Sequence, residues 1–244
     1  AKKMGLEILP PDINESLEDF TLIKGEKAKI RFGLSAIKNL SENAIGGIIA
    51  KRKEIGYFKN IQNFLETISS SDLNKKSLEA LIKCGALDCF RERRALFINI
   101  EELLRYVKDL GKNNNSSQIG LFESFRALAP LNLAQTEPAS KKEKLAWEKE
   151  LLGLYTTEHP TSEYQEAMEK KSLLIEKVKP SLVGQKTTVG GLISEIKKHV
   201  TKNGKLMLFT KIEDWANKIE VVVFPDLLEK NPGIWAEDKI VVVS

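Results

Sequence analysis

Residues 33–56 read GLSAIKNLSENAIGGIIAKRKEIG, and this stretch decides the fold that the sequence predicts. The apolar residues of Leu34–Leu40 are spaced for one short helix, which the polar residues from Ser41 onward interrupt. The isoleucines that follow have the i, i+3, i+4 spacing of a second helix over Asn43–Ile55, and Gly56 predicts its end. The pattern therefore predicts two helices joined by a tight turn.

Two helices joined in this way can hold a phosphate through backbone N–H groups and the positive end of the second helix, without reading a base. The arrangement resembles the helix-hairpin-helix motif of duplex DNA-binding proteins. That motif usually has two glycines in its hairpin, where Ser41 and Asn43 stand here; asparagine tolerates the left-handed conformation, and serine can cap a helix. Simple helical packing is the alternative interpretation. The candidate duplex-binding residues are Lys38, Asn39, Ser41, Glu42, Asn43, Lys51 and Arg52.

The hairpin belongs to a predicted helical block over residues 33–110. Apolar stripes at 58–65, 78–82 and 97–107 each predict one further helix, and Gly85 predicts the end of the middle one. Short helices in close succession indicate one compact domain rather than a solenoid, because no repeat of fixed period appears.

A short strand is predicted just before the block, where residues 27–32 alternate between polar and apolar side chains. Ala28, Ile30 and Phe32 would face the core. The other face carries Lys27, Lys29 and Arg31. It is either a solvated strand face or a strip that faces phosphates, and both interpretations remain open.

Residues 111–140 are predicted to be a linker, because the run from Gly111 to Ser117 is polar and breaks helices. An apolar island interrupts it, QIGLF at residues 118–122. A polar anchor followed by Leu-Phe suits a short peptide entering an apolar pocket. It is similar to the box with which bacterial replication proteins bind the sliding clamp, and an ordinary loop is the alternative. The candidate clamp-binding residues are Gln118, Ile119, Leu121 and Phe122.

The C-terminal part changes from helical to strand periodicity. Residues 141–182 are predicted to be connecting helices, and 183–244 contain four strands with short turns, which favours a partial OB-fold β-barrel. Basic loops beside aromatic rings suit single-stranded nucleic acid; a core phenylalanine with solvated lysines is the alternative. The candidate single-strand-binding residues are Lys197, Lys198, Lys202, Lys205, Phe209 and Trp215.

Composition limits the remaining classes of function. The 244 residues are 42% hydrophobic and carry a net charge of +4, which neither requires nor excludes nucleic acid. No apolar run is long enough for a membrane helix, and no leader is expected. Cys84 and Cys89 are expected to be ordinary thiols in a reducing, cytoplasmic setting, with no metal site. The acidic pair at Glu213 and Asp214 is expected to be a solvated hairpin end, so no catalytic residue is predicted.

The order of these features resembles the family of bacterial DNA polymerase III alpha subunits, the C-family replicative polymerases. Four segments carry the resemblance besides the hairpin and the 118–122 box: PPDINES at 10–16, LEALIKCGALD at 78–88, EKELLGLY at 148–155 and IEVVVFP at 219–225. The implied fold class is α+β and multidomain. A small helical helix-hairpin-helix domain, preceded by the tail of a fingers region over 1–32, is followed by the linker and the partial OB-fold barrel.

The resemblance also implies a division of labour. Catalytic aspartates and Mg²⁺ would belong to a palm domain elsewhere in a longer, DNA-directed DNA polymerase, so this piece would have no cofactor of its own. It would hold duplex DNA, bind the sliding clamp, and contact single-stranded template or other replicase subunits, without a membrane. A stand-alone nucleic-acid-binding adaptor with helical and OB modules is the alternative, and a purely structural interaction protein is a third interpretation.

Overall fold

The computed structural model describes residues 6–25, 27–68, 73–115, 131–215 and 217–244, and the side chains of 111–115 are left out of the description. The chain divides into two compact units, one that ends at Thr157 and one that spans Glu158–Ser244. The first unit contains strands β1–β3 and helices α1–α6: β1 Glu7–Leu9, β2 Thr21–Ile23, β3 Lys29–Arg31, α1 Glu42–Ile55, α2 Ile61–Thr67, α3 Lys75–Lys83, α4 Arg93–Ile98, α5 Ile100–Asn115 and α6 Lys141–Leu152. The second unit contains α7 Gln165–Lys171, β4 Val189–Val200, β5 Leu206–Glu213, β6 Lys218–Val223, α8 Pro225–Lys230 and β7 Ile240–Val243.

Polar side chains cap the first three helices of the first unit, and the cap expected from Ser41 is among them. The side chains of Ser41, Asn60 and Asn74 accept hydrogen bonds from the first turns of α1, α2 and α3. Such caps satisfy N–H groups that have no partner inside a helix. Gly56 ends α1 with φ of 87° and donates its N–H to the carbonyl of Arg52. The predictions of α1, α2 and α3 are confirmed.

The expected first helix of the hairpin is wrong. Only Leu34–Ala36 is helical, as one 3₁₀ turn, and Ile37 is already extended. Gly33 lies so close to the backbone of Asp19 that a Cβ would be 2.4 Å from its carbonyl carbon, which fixes the chain just before the turn. The spacing of Leu34 and Ile37 therefore reflects two side chains entering one core, not a regular helix.

The helix expected over 97–107 is interrupted at Asn99, which separates α4 from α5. The Asn99 amide donates to the carbonyls of Ala95 at 2.7 Å and Ala134 at 3.0 Å, and its oxygen accepts from the N–H of Ala134 at 2.9 Å. The side chain thus pairs with a distant segment, a competition with the helix backbone that asparagine makes readily. The helix break expected from Gly111 is wrong, because α5 continues to Asn115.

The core of the first unit draws residues from both sides of residues 116–130. Phe32, Phe64 and Leu81 are buried in it, and Leu133 and Leu151 belong to the same cluster. Each fully buried side chain of this size contributes about 1.5–3 kcal/mol. Residues 131–139 and helix α6 therefore pack on the helical block instead of leaving it.

A four-stranded antiparallel sheet forms the centre of the second unit, in the order β6-β5-β4-β7. β4 is long enough to pair with β7 through its first half and with β5 through its second, and the register shifts between Ile193 and Glu195. A bulge of this kind bends a strand, so the sheet curls as in a partial OB-like barrel. Ile193 and Ile212 are buried in the core cluster of this unit. The α+β fold class is confirmed.

Candidate nucleic-acid interface

The hairpin turn consists of Ile37, Lys38, Asn39 and Leu40. The N–H of Leu40 donates to the carbonyl of Ile37 at 3.4 Å, and Asn39 has φ of 66°. A positive φ at the third position is typical of a tight turn that requires glycine or asparagine. The left-handed asparagine of the turn is therefore Asn39; the expectation of that conformation at Asn43 is wrong, because Asn43 lies inside α1.

The N-terminus of α1 follows this turn directly. Ser41 Oγ accepts from the N–H of Ala44 at 3.2 Å, which leaves the N–H groups of Glu42 and Asn43 without an acceptor inside the helix. Both residues are exposed. These N–H groups and the positive end of the helix dipole together provide the chemistry that binds an anion.

Lys38 adds a positive charge at the turn. Its side chain is exposed, and it has no ion-pair partner within the described ranges of the chain. Its backbone N–H donates to the carbonyl of Leu151 at 3.0 Å, which ties the turn to the end of α6. Lys51 is on the same helix as the proposed anion site but pairs with Glu54 at 2.9 Å.

Arg52 lies in the interior and not on the surface where the sequence-based prediction placed it. It is 8% exposed and donates to the carbonyls of Ile13 at 2.8 Å and Ser16 at 2.7 Å. Burial lowers the pKa of Arg52, against the opposing attraction of Asp12. The guanidinium joins α1 to the N-terminal segment, so we leave it out of the interface.

The cations of β3 are matched by carboxylates. Lys29 pairs with Glu7 at 2.8 Å, and Arg31 pairs with Glu15. Arg31 also donates to the carbonyl of Pro10 at 2.8 Å. Their charge is neutralised locally, which disfavours the phosphate-facing interpretation of this strand.

The predicted clamp-binding residues, Gln118, Ile119, Leu121 and Phe122, lie outside the described residues. The structure does describe the chain on both sides of them. Asn99 holds Ala134, and the carboxylate of Glu92 accepts from the N–H of Ala139 at 2.9 Å. The segment that carries the box therefore starts from the first unit at α5 and rejoins the same unit at residues 131–139.

One face of the second unit's sheet brings two predicted residues together. The pairing of β4 with β5 sets Lys197 opposite Phe209, and the ring of His199 lies 6.0 Å from the ring of Phe209. Phe209 is half-buried, while its neighbours Leu208 and Thr210 are buried on the other face. The register places six residues of β4 and β5 on this surface, which we call the Phe209 face: Glu195, Lys197, His199, Met207, Phe209 and Lys211. Lys197 pairs with Glu195 at 3.2 Å.

The other predicted single-strand-binding residues lie elsewhere. Lys198 pairs opposite Leu208, on the reverse side of the sheet. Lys202 is exposed in the turn, Lys205 is 3.8 Å from both Asp226 and Glu229, and Trp215 is half-buried after β5.

The sequence analysis missed His199 and Lys211, which the period of two along each strand could have found. Lys211 pairs with Glu195, and the hydrogen bond that it donates to this carboxylate raises the pKa of Lys211.

The expected solvated hairpin end at Glu213 and Asp214 is wrong. Asp214 is buried, and its carboxylate accepts from the N–H groups of Ile175 at 3.1 Å and Asn217 at 2.7 Å. Glu213 lies 3.8 Å from His159. A buried carboxylate with two backbone donors stabilises the loops around it.

Two features are absent from the described ranges of the chain. No group of three or more His, Cys, Asp or Glu side chains is arranged to hold a metal ion. No helix there has the length and apolar character needed to cross a membrane.

Comparison with known proteins agrees with this geometry. A family model described as "Helix-hairpin-helix motif" matches residues 5–97, which include the turn and α1. The DNA polymerase III subunit alpha of Thermus aquaticus is 35% identical over 92% of this chain and 18% of its own length. That of Aquifex aeolicus is 35% identical over 100% of the chain and 20% of its own length. The subunit of Escherichia coli K12 is 32% identical over 99% of the chain and 21% of its own length.

The chain is related to the DNA polymerase III alpha subunit. The resemblance that the sequence suggested is confirmed. The chain spans about a fifth of the length of these curated relatives. The relation covers both units, because the matches extend well past the helix-hairpin-helix region that ends at residue 97.

Proposed function

We propose that this chain is a DNA-holding and clamp-tethering part of a bacterial replicative polymerase that acts in the cytoplasm. One observation carries the proposal: in the region that matches the helix-hairpin-helix family, the exposed Lys38 and the free N–H groups at the start of α1 lie at one turn. Contacts of this kind go to phosphates and are indifferent to sequence, as a polymerase that copies any template requires.

Duplex binding is tested by fluorescence anisotropy with duplexes of unrelated sequence over a range of salt concentrations. Lys38→Ala should weaken binding to every duplex equally and lower the salt slope by about one, since one phosphate contact is lost. Lys59→Ala is the matched control, because this exposed lysine follows the opposite end of the 14-residue α1. Equal effects of the two substitutions, or a strong preference for one sequence, would refute the assignment of the hairpin.

The second part of the proposal is that QIGLF at 118–122 binds the sliding clamp. Its support is the sequence pattern and the relation to the polymerase III alpha subunits. Binding of purified clamp to the immobilised chain should be lost when Gln118, Leu121 and Phe122 are all changed to alanine. A control with Ser116, Ser117 and Glu123 changed to alanine should bind as before. Clamp binding that survives the first triple change would contradict this part.

The third part is that the Phe209 face binds single-stranded DNA, with a partner subunit as the other outcome. A ring on a strand beside a lysine can stack a base, at about 1–3 kcal/mol per base. Phe209→Ala should weaken binding of a single-stranded oligonucleotide accordingly, whereas Phe20→Ala, which removes an exposed ring from the first unit, should not. Unchanged binding by Phe209→Ala would favour a protein ligand on this face.

The last part is that catalysis belongs to another region of the longer polymerase. The chain by itself should not extend a primed template in Mg²⁺, and removal of Mg²⁺ by a chelator should leave its clamp binding unchanged. Primer extension by the purified chain would overturn this part, and so would clamp binding that requires the metal.

A further inference from the structure

A buried ion pair joins α4 to α6. Arg93 Nη1 lies 2.9 Å from Glu148 Oε1, and the two side chains are 1% and 0% exposed. Arg93 Nε also donates to Asp88 at 2.9 Å. A buried arginine of this kind is stable only when its charge is paired, and here two carboxylates accept from its Nε and Nη1.

The Glu148 carboxylate has further partners beyond α6. It accepts from the N–H groups of Thr156 at 2.9 Å and Thr157 at 3.1 Å, and from Thr157 Oγ1 at 3.0 Å. Both its oxygens are therefore occupied, and α6 is fixed along its last two turns from both sides. This side chain therefore joins the core contacts of Leu151 in fixing the last turns of α6.

The end of α6 fixed in this way carries the hairpin turn. Leu151 is three residues after Glu148, and its carbonyl belongs to the last turn, where carbonyls have no N–H donor inside the helix. The N–H of Lys38 donates to this carbonyl at 3.0 Å. This hydrogen bond joins the turn to the end of α6, so a displacement of α6 moves Lys38.

We infer that Glu148 and Arg93 are positioning residues of the DNA-binding hairpin, an inference that rests on the duplex binding proposed above. Hydrogen bonds to a phosphate need distances of about 2.7–3.2 Å, so the direction in which the turn presents its N–H groups decides the affinity. The family match ends at residue 97, yet the turn is held by a helix that begins at Lys141. The hairpin turn is thus held in place by a helix that follows residues 118–122 in the sequence.

The test uses the full chain with Glu148→Gln, which keeps the size of the side chain and removes its charge. Duplex affinity should fall roughly two- to thirty-fold, the range of coupling through a packed network. The salt slope should stay unchanged, because no phosphate contact is removed, in contrast to Lys38→Ala. By hydrogen exchange, the amide of Lys38 should lose protection while those of Ile48 and Ile49 in α1 keep it.

Tyr106→Phe is the control, since it removes a hydrogen bond to Glu66 at the interface of α5 with α2. It should change neither the duplex affinity nor the exchange of Lys38. Glu148→Gln could also expose all the amides of α1 to exchange. In that case Thr157→Val, which removes only one hydrogen bond to the same carboxylate, is tested by the same measurements of duplex affinity and Lys38 exchange.

Unchanged affinity and unchanged Lys38 exchange in Glu148→Gln would overturn the inference and leave the proposed function intact. A lowered salt slope would also overturn it, because that result means a direct phosphate contact. Failure of the unchanged chain to bind any duplex would overturn the duplex-binding part of the proposed function, and this inference with it.

Discussion

Gly85→Ala probes the buried network from the side of α3. Gly85 follows α3 with φ of +86°, and the guanidinium of Arg93 packs directly on it. A Cβ at this position would lie 2.2 Å from Arg93 Nη2 and 2.6 Å from Arg93 Cζ. Non-bonded atoms do not approach this closely, so the new methyl group must displace the guanidinium or the turn.

The loss in the free energy of unfolding of Gly85→Ala has two separable parts. A left-handed conformation costs an alanine about 1–2 kcal/mol. Breaking a buried ion pair costs about 3–5 kcal/mol, because one charge stays buried without its partner. Together these give a loss of about 4–7 kcal/mol, which is close to the whole stability of many domains. The buried ion pair that the new methyl group would break is that of Arg93 with Glu148.

Gly153→Ala isolates the first part. Gly153 is left-handed, with φ of 73° and ψ of 0°, and nothing lies within 4 Å of the position of its Cβ. Equilibrium urea unfolding, followed by the far-UV circular dichroism of the helices, should show a loss of about 1–2 kcal/mol for Gly153→Ala and about 3–5 kcal/mol more for Gly85→Ala. Equal losses in the two variants would refute the reasoning, since they would mean that Arg93 moves aside at no cost.

Three further outcomes are expected. Burial opposes the charged form of Glu92, but backbone N–H donors outweigh it and lower its pKa below 4.5. Its contribution to stability is therefore complete above about pH 4.5 and is lost as the pH falls through the lower, folded value, so Glu92→Gln should make acid unfolding less steep. Asp214→Ala should cost the second unit about 1–3 kcal/mol in thermal unfolding, because two N–H groups lose a buried acceptor, whereas the exposed Asp226→Ala should cost almost nothing. Asn99→Ala should speed hydrogen exchange at the amide of Ala134, and an unchanged rate would contradict its role in holding that segment.

Features encoded by neighbouring residues could be predicted from the sequence. The isoleucine stripe predicted α1, and Ser41 begins that helix as its cap. Alternation predicted the strands of the second unit, of which β4, β5 and β6 pair side by side. Each of these signals acts within about one turn or one pair of residues, so distant contacts do not change it.

The error at Arg52 had a local signal that was overlooked. Arg52 follows Ile45 by seven residues and Ile48 by four, so it lies on the buried stripe of α1. Lys51 and Lys53, its neighbours in the same basic run, lie off that stripe. Helical position, not the charge of the run, separates a structural arginine from candidate phosphate contacts.

Other features depend on residues far away in the sequence. The 3₁₀ turn at Leu34–Ala36 and the left-handed Asn39 are fixed by the chain at Asp19 and by Leu151. The break at Asn99 depends on Ala134, 35 residues further on. No window around these positions contains the partner, so their periodicity favoured longer helices than the structure has.

The return of residues 131–139 to the first unit changes what a clamp-binding segment can do. A clamp-binding segment that linked two units would not attach the clamp firmly to either of them. The segment that contains residues 118–122 instead starts from α5 and ends on the same helical unit. Clamp and duplex attachments proposed on one unit raise each other's effective concentration when the clamp is on the DNA. Loss of Lys38 and loss of the box should therefore be more than additive on a clamp loaded on DNA, but independent when clamp and duplex are offered separately.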